Sequence, residues 1–152
     1  MKNLLEVYIF RLLHEPTTHS NLVLLREKDG DRFLPMSIGT FEAEAIARAL
    51  SGMAFERPLT HDLLKSILEQ MGGTLEKVVI NDLSDDVFYA RLIIRRESGM
   101  LSVDARPSDS LCLATLFKCP IFVGTQVMDK AGMDASEFPE AEESEGPPEG
   151  YA

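Results

Sequence analysis

The chain has no tryptophan, two cysteines and three histidines among its 152 residues. Cys112 and Cys119 match no zinc-ribbon or zinc-finger spacing. Both sit in apolar surroundings, so they are read as free thiols packed as small hydrophobes. No stretch approaches the ~18 consecutive apolar residues of a membrane span. Glu6 interrupts the opening apolar run too early for a secretory signal. The expectation is a cytoplasmic protein with no membrane segment. Basic residues are also scarce, with 15 Lys and Arg against 25 Asp and Glu and a net charge of −10. Non-specific nucleic-acid affinity comes mostly from clustered cations neutralising phosphates. Composition alone therefore argues against a nucleic-acid binder.

What is present is ordinary for one globular domain: 45% hydrophobic and 26% charged residues, enough to bury a sizeable core. The charge is uneven. Residues 129–152 hold eight acids and one base, which leaves residues 1–128 at only −3. Residues 1–128 are read as the folded domain and 129–152 as an acidic tail. From about residue 134 the tail is Glu-, Pro- and Gly-rich, and too poor in aliphatics to offset the entropy of ordering. It is expected to be disordered.

Hydrophobic periodicity gives an α+β fold with a largely antiparallel sheet and about three helices. Alternation predicts strands over 4–13, 22–27, 32–38, 75–82, 87–95 and 100–105, with a short buried one at 120–123. Asp29-Gly30 reads as a hairpin turn. Pro35 cannot donate to a ladder, so the strand holding it lies at an edge or is bulged. Helices are expected over 40–51, with Thr40 as N-cap, over 60–71 and over 107–118. Leu63, Leu64, Ile67, Leu68 and Met71 are read as the buried face of the second. The third is apolar nearly all round and should be central. Strand, turn, strand, helix occurs at both 22–51 and 87–118, which two β-β-α units sharing one core would explain, as would a chance likeness of two ordinary hairpin-helix pieces.

Three polar segments stand at helix starts: Ile38-Gly39-Thr40-Phe41-Glu42-Ala43, Arg57-Pro58-Leu59-Thr60-His61-Asp62-Leu63-Leu64 and Asp104-Ala105-Arg106-Pro107-Ser108-Asp109-Ser110. Free N–H groups and the helix dipole favour an anion at such ends. Should the three ends converge, they would frame a phosphate site beside Arg57 and Arg106, whose backbones are held extended by the prolines that follow. Thr60 and Ser108 would add hydroxyls.

With Val78-Val79-Ile80, Phe88-Tyr89-Ala90-Arg91-Leu92 and Pro120-Ile121-Phe122-Val123, these segments resemble the bifunctional nuclease (DNase/RNase) domain family over roughly residues 3–128. The sharpest pieces are Arg57 to Leu64 and Ala105 to Asp109. The resemblance implies a mixed α/β domain, often a homo-oligomer, with DNA or RNA as substrate.

The resemblance does not assign roles, so each residue is weighed on its chemistry. His61 suits a general base near neutral pH; the alternative is a helix-start histidine bonded to a neighbouring loop. Asp62 would be catalytic or a dipole-compensating carboxylate. Glu42, Asp104 and Asp109 could assemble a Mg²⁺ or Mn²⁺ site, Asp109 serving catalysis too. The competing arrangement is an Arg106–Asp ion pair with Ser108 capping the helix. The functional expectation is a phosphodiester hydrolase, against a non-enzymatic anion-binding or assembly module. A third option is a regulatory subunit whose acidic tail docks on a basic partner.

Overall fold

The computed structural model describes residues 3–137. Seven main strands form in chain order: β1 (Leu4–Glu15), β2 (Ser20–Glu27), β3 (Arg32–Ile38), β4 (Thr74–Ser84), β5 (Val87–Arg96), β6 (Gly99–Ala105) and β7 (Ile121–Gly124). A two-residue strand, β8 (Met133–Asp134), closes the edge beside β3. The helices are α1 (Thr40–Ser51), α2 (Thr60–Gln70), α3 (Pro107–Phe117) and α4 (Thr125–Ala131). One mixed sheet results, in the order β6-β5-β4-β7-β1-β2-β3-β8.

The topology is two antiparallel meanders, β1-β2-β3 and β4-β5-β6, each followed by a helix that returns over the same face of the sheet. The repeated unit is thus one strand longer than the β-β-α expected from the sequence. β7 lies between the meanders, antiparallel to β1 and parallel to β4, so β1 and β4 run opposite ways. Every other pairing is antiparallel, as hairpin connections require.

Alternation along the strands sends Val7, Ile9, Val23, Leu25, Leu34, Met36, Val78, Ile80 and Val123 to the helix side, where they form the main core. α3 is central in that core: Leu111, Cys112, Leu113 and Ala114 are all buried. Its low polarity all round follows from that seat, since it has neighbours on every side. On the opposite face Phe10, Leu24 and Phe33 make a smaller cluster. Alternation puts Phe10 on that face, and a bulge between Ile9 and Arg11 then returns Leu12 to the helix side. Pro35 pairs in register with Leu24, and β8 reaches only Arg32 and Phe33, so the proline faces an open edge where no donor is required.

Several expectations are revised. Gly39, not Thr40, is the N-cap of α1; Thr40 Oγ1 instead accepts a 3.2 Å hydrogen bond from Asn21. The boundary set at residue 128 cuts through α4, whose Val127 and Met128 are buried. Asp129 pairs with Arg32 at 2.8 Å, and Asp134 is Arg32's partner across β8. Regular structure continues to Glu137, and the remainder of the expected disordered tail, residues 138–152, lies outside the described residues. The largest revision concerns α2, in which no residue is buried. α3 already covers the sheet, so α2 touches the core mainly through Leu68, and Leu63, Leu64, Ile67 and Met71 stay exposed.

Candidate active site

Glu42 stands in the first turn of α1, His61 and Asp62 in the first turn of α2, and Arg106 and Asp109 at the start of α3. All five line one cavity of about 880 Å³ between the three helices. The local reasons are readable in each segment. Gly39 lets the chain enter α1 close under the Glu42 carboxylate; a Cβ there would collide with it. Asp62 Oδ2 accepts the Leu59 N–H at 2.9 Å and fixes the start of α2. Pro107 occupies the first position of α3, where a missing N–H costs nothing. Arg106 is the N-cap residue of that helix, and its carbonyl accepts bonds from both the backbone and the hydroxyl of Ser110.

Arg106 links the site. Its Nε donates to Asp109 Oδ2 at 2.9 Å, Nη2 to Asp109 Oδ1 at 3.2 Å, and Nη1 to Glu42 Oε2 at 3.1 Å. His61 Nε2 stands 2.9 Å from the same Asp109 Oδ1. Burial pushes the Asp109 carboxyl up, but the hydrogen bonds from Arg106 and His61 outweigh it, and the net pKa lies below the ordinary carboxylate value. Asp109, followed by Glu42, raises the Arg106 guanidinium further. All four residues are thus held by mutual bonds, and the histidine keeps its second ring nitrogen, Nδ1, outside that pairing. Asp109 fixes the ring orientation through Nε2.

The other sequence candidates are placed differently. Thr60 lines the cavity at its rim. Ser108 is buried and caps nothing; α3 has no side-chain cap bond. Arg57 is exposed in the loop before α2 and does not line the cavity. Asp104 lies apart. It pairs in register with Arg91, whereas the adjacent pair Leu92 and Val103 faces the helices, so alternation points Asp104 to the opposite side of the sheet. There it approaches only Arg91, at 3.9 Å.

This placement decides whether Glu42, Asp104 and Asp109 fit a divalent cation. Among the described residues no three His, Cys, Asp or Glu side chains gather as a metal site. Glu42 and Asp109 share one guanidinium, and a cation between them would have to displace Arg106. The donor set as arranged does not fit a resident metal ion.

The cavity also has members outside the motifs. Ala45, Arg48 and Gly52 follow Phe41 at helical spacing along α1 and its C-cap, on a face beside its core stripe. That second period was the available signal. Met53 and Phe55 come from the loop before α2, and Leu92 from β5. Cys112 forms part of the wall with its thiol 3.5 Å from the Ala45 carbonyl, and burial pushes its pKa up to about 12.

Fold and site together define an α+β protein whose helix starts enclose an arginine-linked carboxylate–histidine cluster. The chain belongs to the bifunctional nuclease domain family, whose sequence profile matches residues 23–136. It is 41% identical over 128 residues to an uncharacterized protein of Mycobacterium tuberculosis, covering 84% of this chain and 76% of that one. It is also similar to Bifunctional nuclease 1 of rice, at 27% identity over 124 residues, 80% of this chain and 38% of the relative. Bifunctional nuclease 2 of Arabidopsis thaliana is 25% identical over 118 residues, 76% of this chain and 36% of the relative. Among the described residues no helix is long and apolar enough to cross a membrane.

Proposed function

We propose that this chain is a nuclease-like hydrolase of phosphodiester bonds in DNA or RNA, acting in the cytoplasm, with the cavity between α1, α2 and α3 as its active site. The observation that carries this reading is the His61–Asp109 pair, joined to Arg106 inside one cavity. Family membership and the names of the plant relatives supply the substrate class.

The roles follow from the atoms each group has left over. With Nε2 engaged by Asp109, His61 Nδ1 is the ring nitrogen that takes a proton from an attacking water. Asp109 holds the ring in that tautomer and stabilises the imidazolium that forms, as a carboxylate does in a catalytic triad. Arg106 keeps unused N–H donors on Nη1 and Nη2 and offers them to a non-bridging phosphate oxygen. Glu42 steadies the guanidinium from α1. Arg106 occupies the place between the two carboxylates, so proton transfer and phosphate binding fall to the chain's own side chains.

The test is cleavage of single-stranded DNA and of RNA by the purified full chain, alongside His61→Ala and Asp109→Asn. Activity in the parent chain and its loss in both folded variants supports the reading. Equal cleavage by all three preparations assigns the activity to a contaminant.

One observation favours a second reading, a non-enzymatic binding module. Arg106 faces two carboxylates, so the cluster offers a polyanion no net positive charge. That reading expects no turnover with any added metal, while the fold and cavity remain intact.

A further inference from the structure

The cavity between α1, α2 and α3 changes character along its length. Its polar end is the cluster at the helix starts, which holds Arg106 and His61. One and two turns further on, α1 contributes Ala45 and Ala49 and α3 contributes Leu113 and Leu116, so the walls become apolar. Large apolar side chains of the same cavity stand in water: Phe41 is 81%, Met53 66% and Phe55 42% exposed. Phe41 occupies the first turn of α1, next to the Glu42 that binds Arg106. A ring so exposed gains little packing from its own chain, and exposed aromatics gathered at a cleft mark ligand sites.

The ligand that matches both ends joins an anion to a flat, largely apolar ring. A nucleotide has that form. Its phosphodiester meets the spare N–H donors of Arg106, and its base lies against the Phe41 ring. A volume of about 880 Å³ is near the top of the roughly 300–1,000 Å³ range of small-ligand sites, which gives a nucleotide ample room. An aliphatic chain would fill the walls and leave the polar end unanswered; inorganic phosphate would do the reverse. A base inside a double helix is stacked on both faces and paired at its edge, so it has no face to give Phe41.

We infer that the cavity takes one unpaired nucleotide, its base stacked on Phe41 and its phosphodiester at Arg106, and that Phe41 thereby selects unpaired strands over duplexes. The inference rests on the cavity being the nuclease site proposed above, and it names the substrate class of that site. Phe41 and Glu42 are consecutive on one helix, so the stacked base sets the neighbouring phosphodiester at Arg106 and before His61 Nδ1. Every base has a π-face, so little preference among the four is expected. Duplexes become substrates only where they fray, bulge or loop out.

The experiment measures binding apart from cleavage, on the full chain, with circular dichroism as the check on folding. Fluorescence anisotropy compares a labelled unstructured single strand, a blunt duplex of the same sequence, and a strand of the same length whose sugars carry no bases. The parent chain is expected to bind the ordinary strand about 10-fold or more tighter than either of the others, the scale of one lost base stack. Phe41→Ala is expected to bind all three alike, and Phe41→Trp to restore the preference. In cleavage assays Phe41→Ala should raise KM more than it lowers kcat, a split that a folding defect does not produce. Parent affinities that do not differ among the three ligands overturn the inference. So does a preference retained by Phe41→Ala, or a parent chain that binds no strand. A parent chain that shows the preference and cuts neither DNA nor RNA refutes the hydrolase and leaves the stacking site in place. Equal cutting of single strand and duplex, untouched by Phe41→Ala, keeps the hydrolase and overturns the stacking site.

Discussion

Nε2 of His61 and Oδ1 of Asp109 stand 2.9 Å apart, although the two residues begin different helices and are separated by 48 positions. The bond exists because α2 and α3 lie side by side and both start at the same edge of the sheet's helix layer. Neither residue is deeply buried, so substrate can reach the pair.

Placement on opposite sides of the sheet separates the acids near Arg106 into two groups. Asp109→Asn is expected to lower kcat by at least about 100-fold, the scale of a lost acid–base partner. Asp104→Asn should leave kcat within a factor of two, because its side chain faces away from the cavity. Steady-state cleavage rates of the two variants decide it, and an equal loss in both would restore Asp104 to the site.

Arg106 neutralises two carboxylates at once, so removing it should set Glu42 and Asp109 against each other. Arg106→Ala is expected to cost about 1 kcal/mol, since the guanidinium is largely in water and exposed pairs contribute little more. Adding Glu42→Gln should recover part of that loss. Urea titration of the two single variants and the double variant measures the coupling. Strict additivity would mean the bridge carries no energy.

Asp109 also sets an acid limit. Its pKa is lowered in the fold, so the group stabilises the native state above the ordinary carboxylate value of 3.8, and that contribution is lost as pH falls through the lower folded value. Thermal unfolding from pH 6 down to about pH 2 should therefore fall more steeply in the parent chain than in Asp109→Asn. Parallel curves would show that the carboxylate is not held as described.

The two thiols provide a check on the core. Burial pushes Cys112 up to about 12 and Cys119 to about 11, and thiolate is the reactive form. Alkylation at pH 8 should be slow in the native chain and complete for both residues in denaturant. Rapid labelling of Cys112 in the native state would mean that the helix layer opens readily.

Much of the fold was legible because strands announce themselves locally. Alternation located β1 to β7 and the Asp29-Gly30 turn, and the apolar girth of α3 gave its central seat. α2 misled for a physical reason: an apolar stripe marks a face suited to burial, but α3 already covers the part of the sheet that this face would have packed on. α4 was missed since Thr125–Ala131 is seven residues long, too short for a period to show. At the site, helix-start chemistry drew attention to Glu42, His61, Asp62 and Asp109. It could not place Asp104, because the side a strand residue faces depends on register set by β5, and it passed over Ala45 and Arg48, whose helical spacing from Phe41 was the signal to read.

β7 joins the two meanders, and no other strand touches both β1 and β4. It is also the last of the central strands to leave the ribosome. During synthesis each half can zip up its own hairpins, but the two meanders have no strand between them until residues 121–124 emerge. Closure of the sheet thus waits until residue 124 has emerged, and a nascent chain paused before that point would expose both open flanks to chaperones or to its neighbours on the same message.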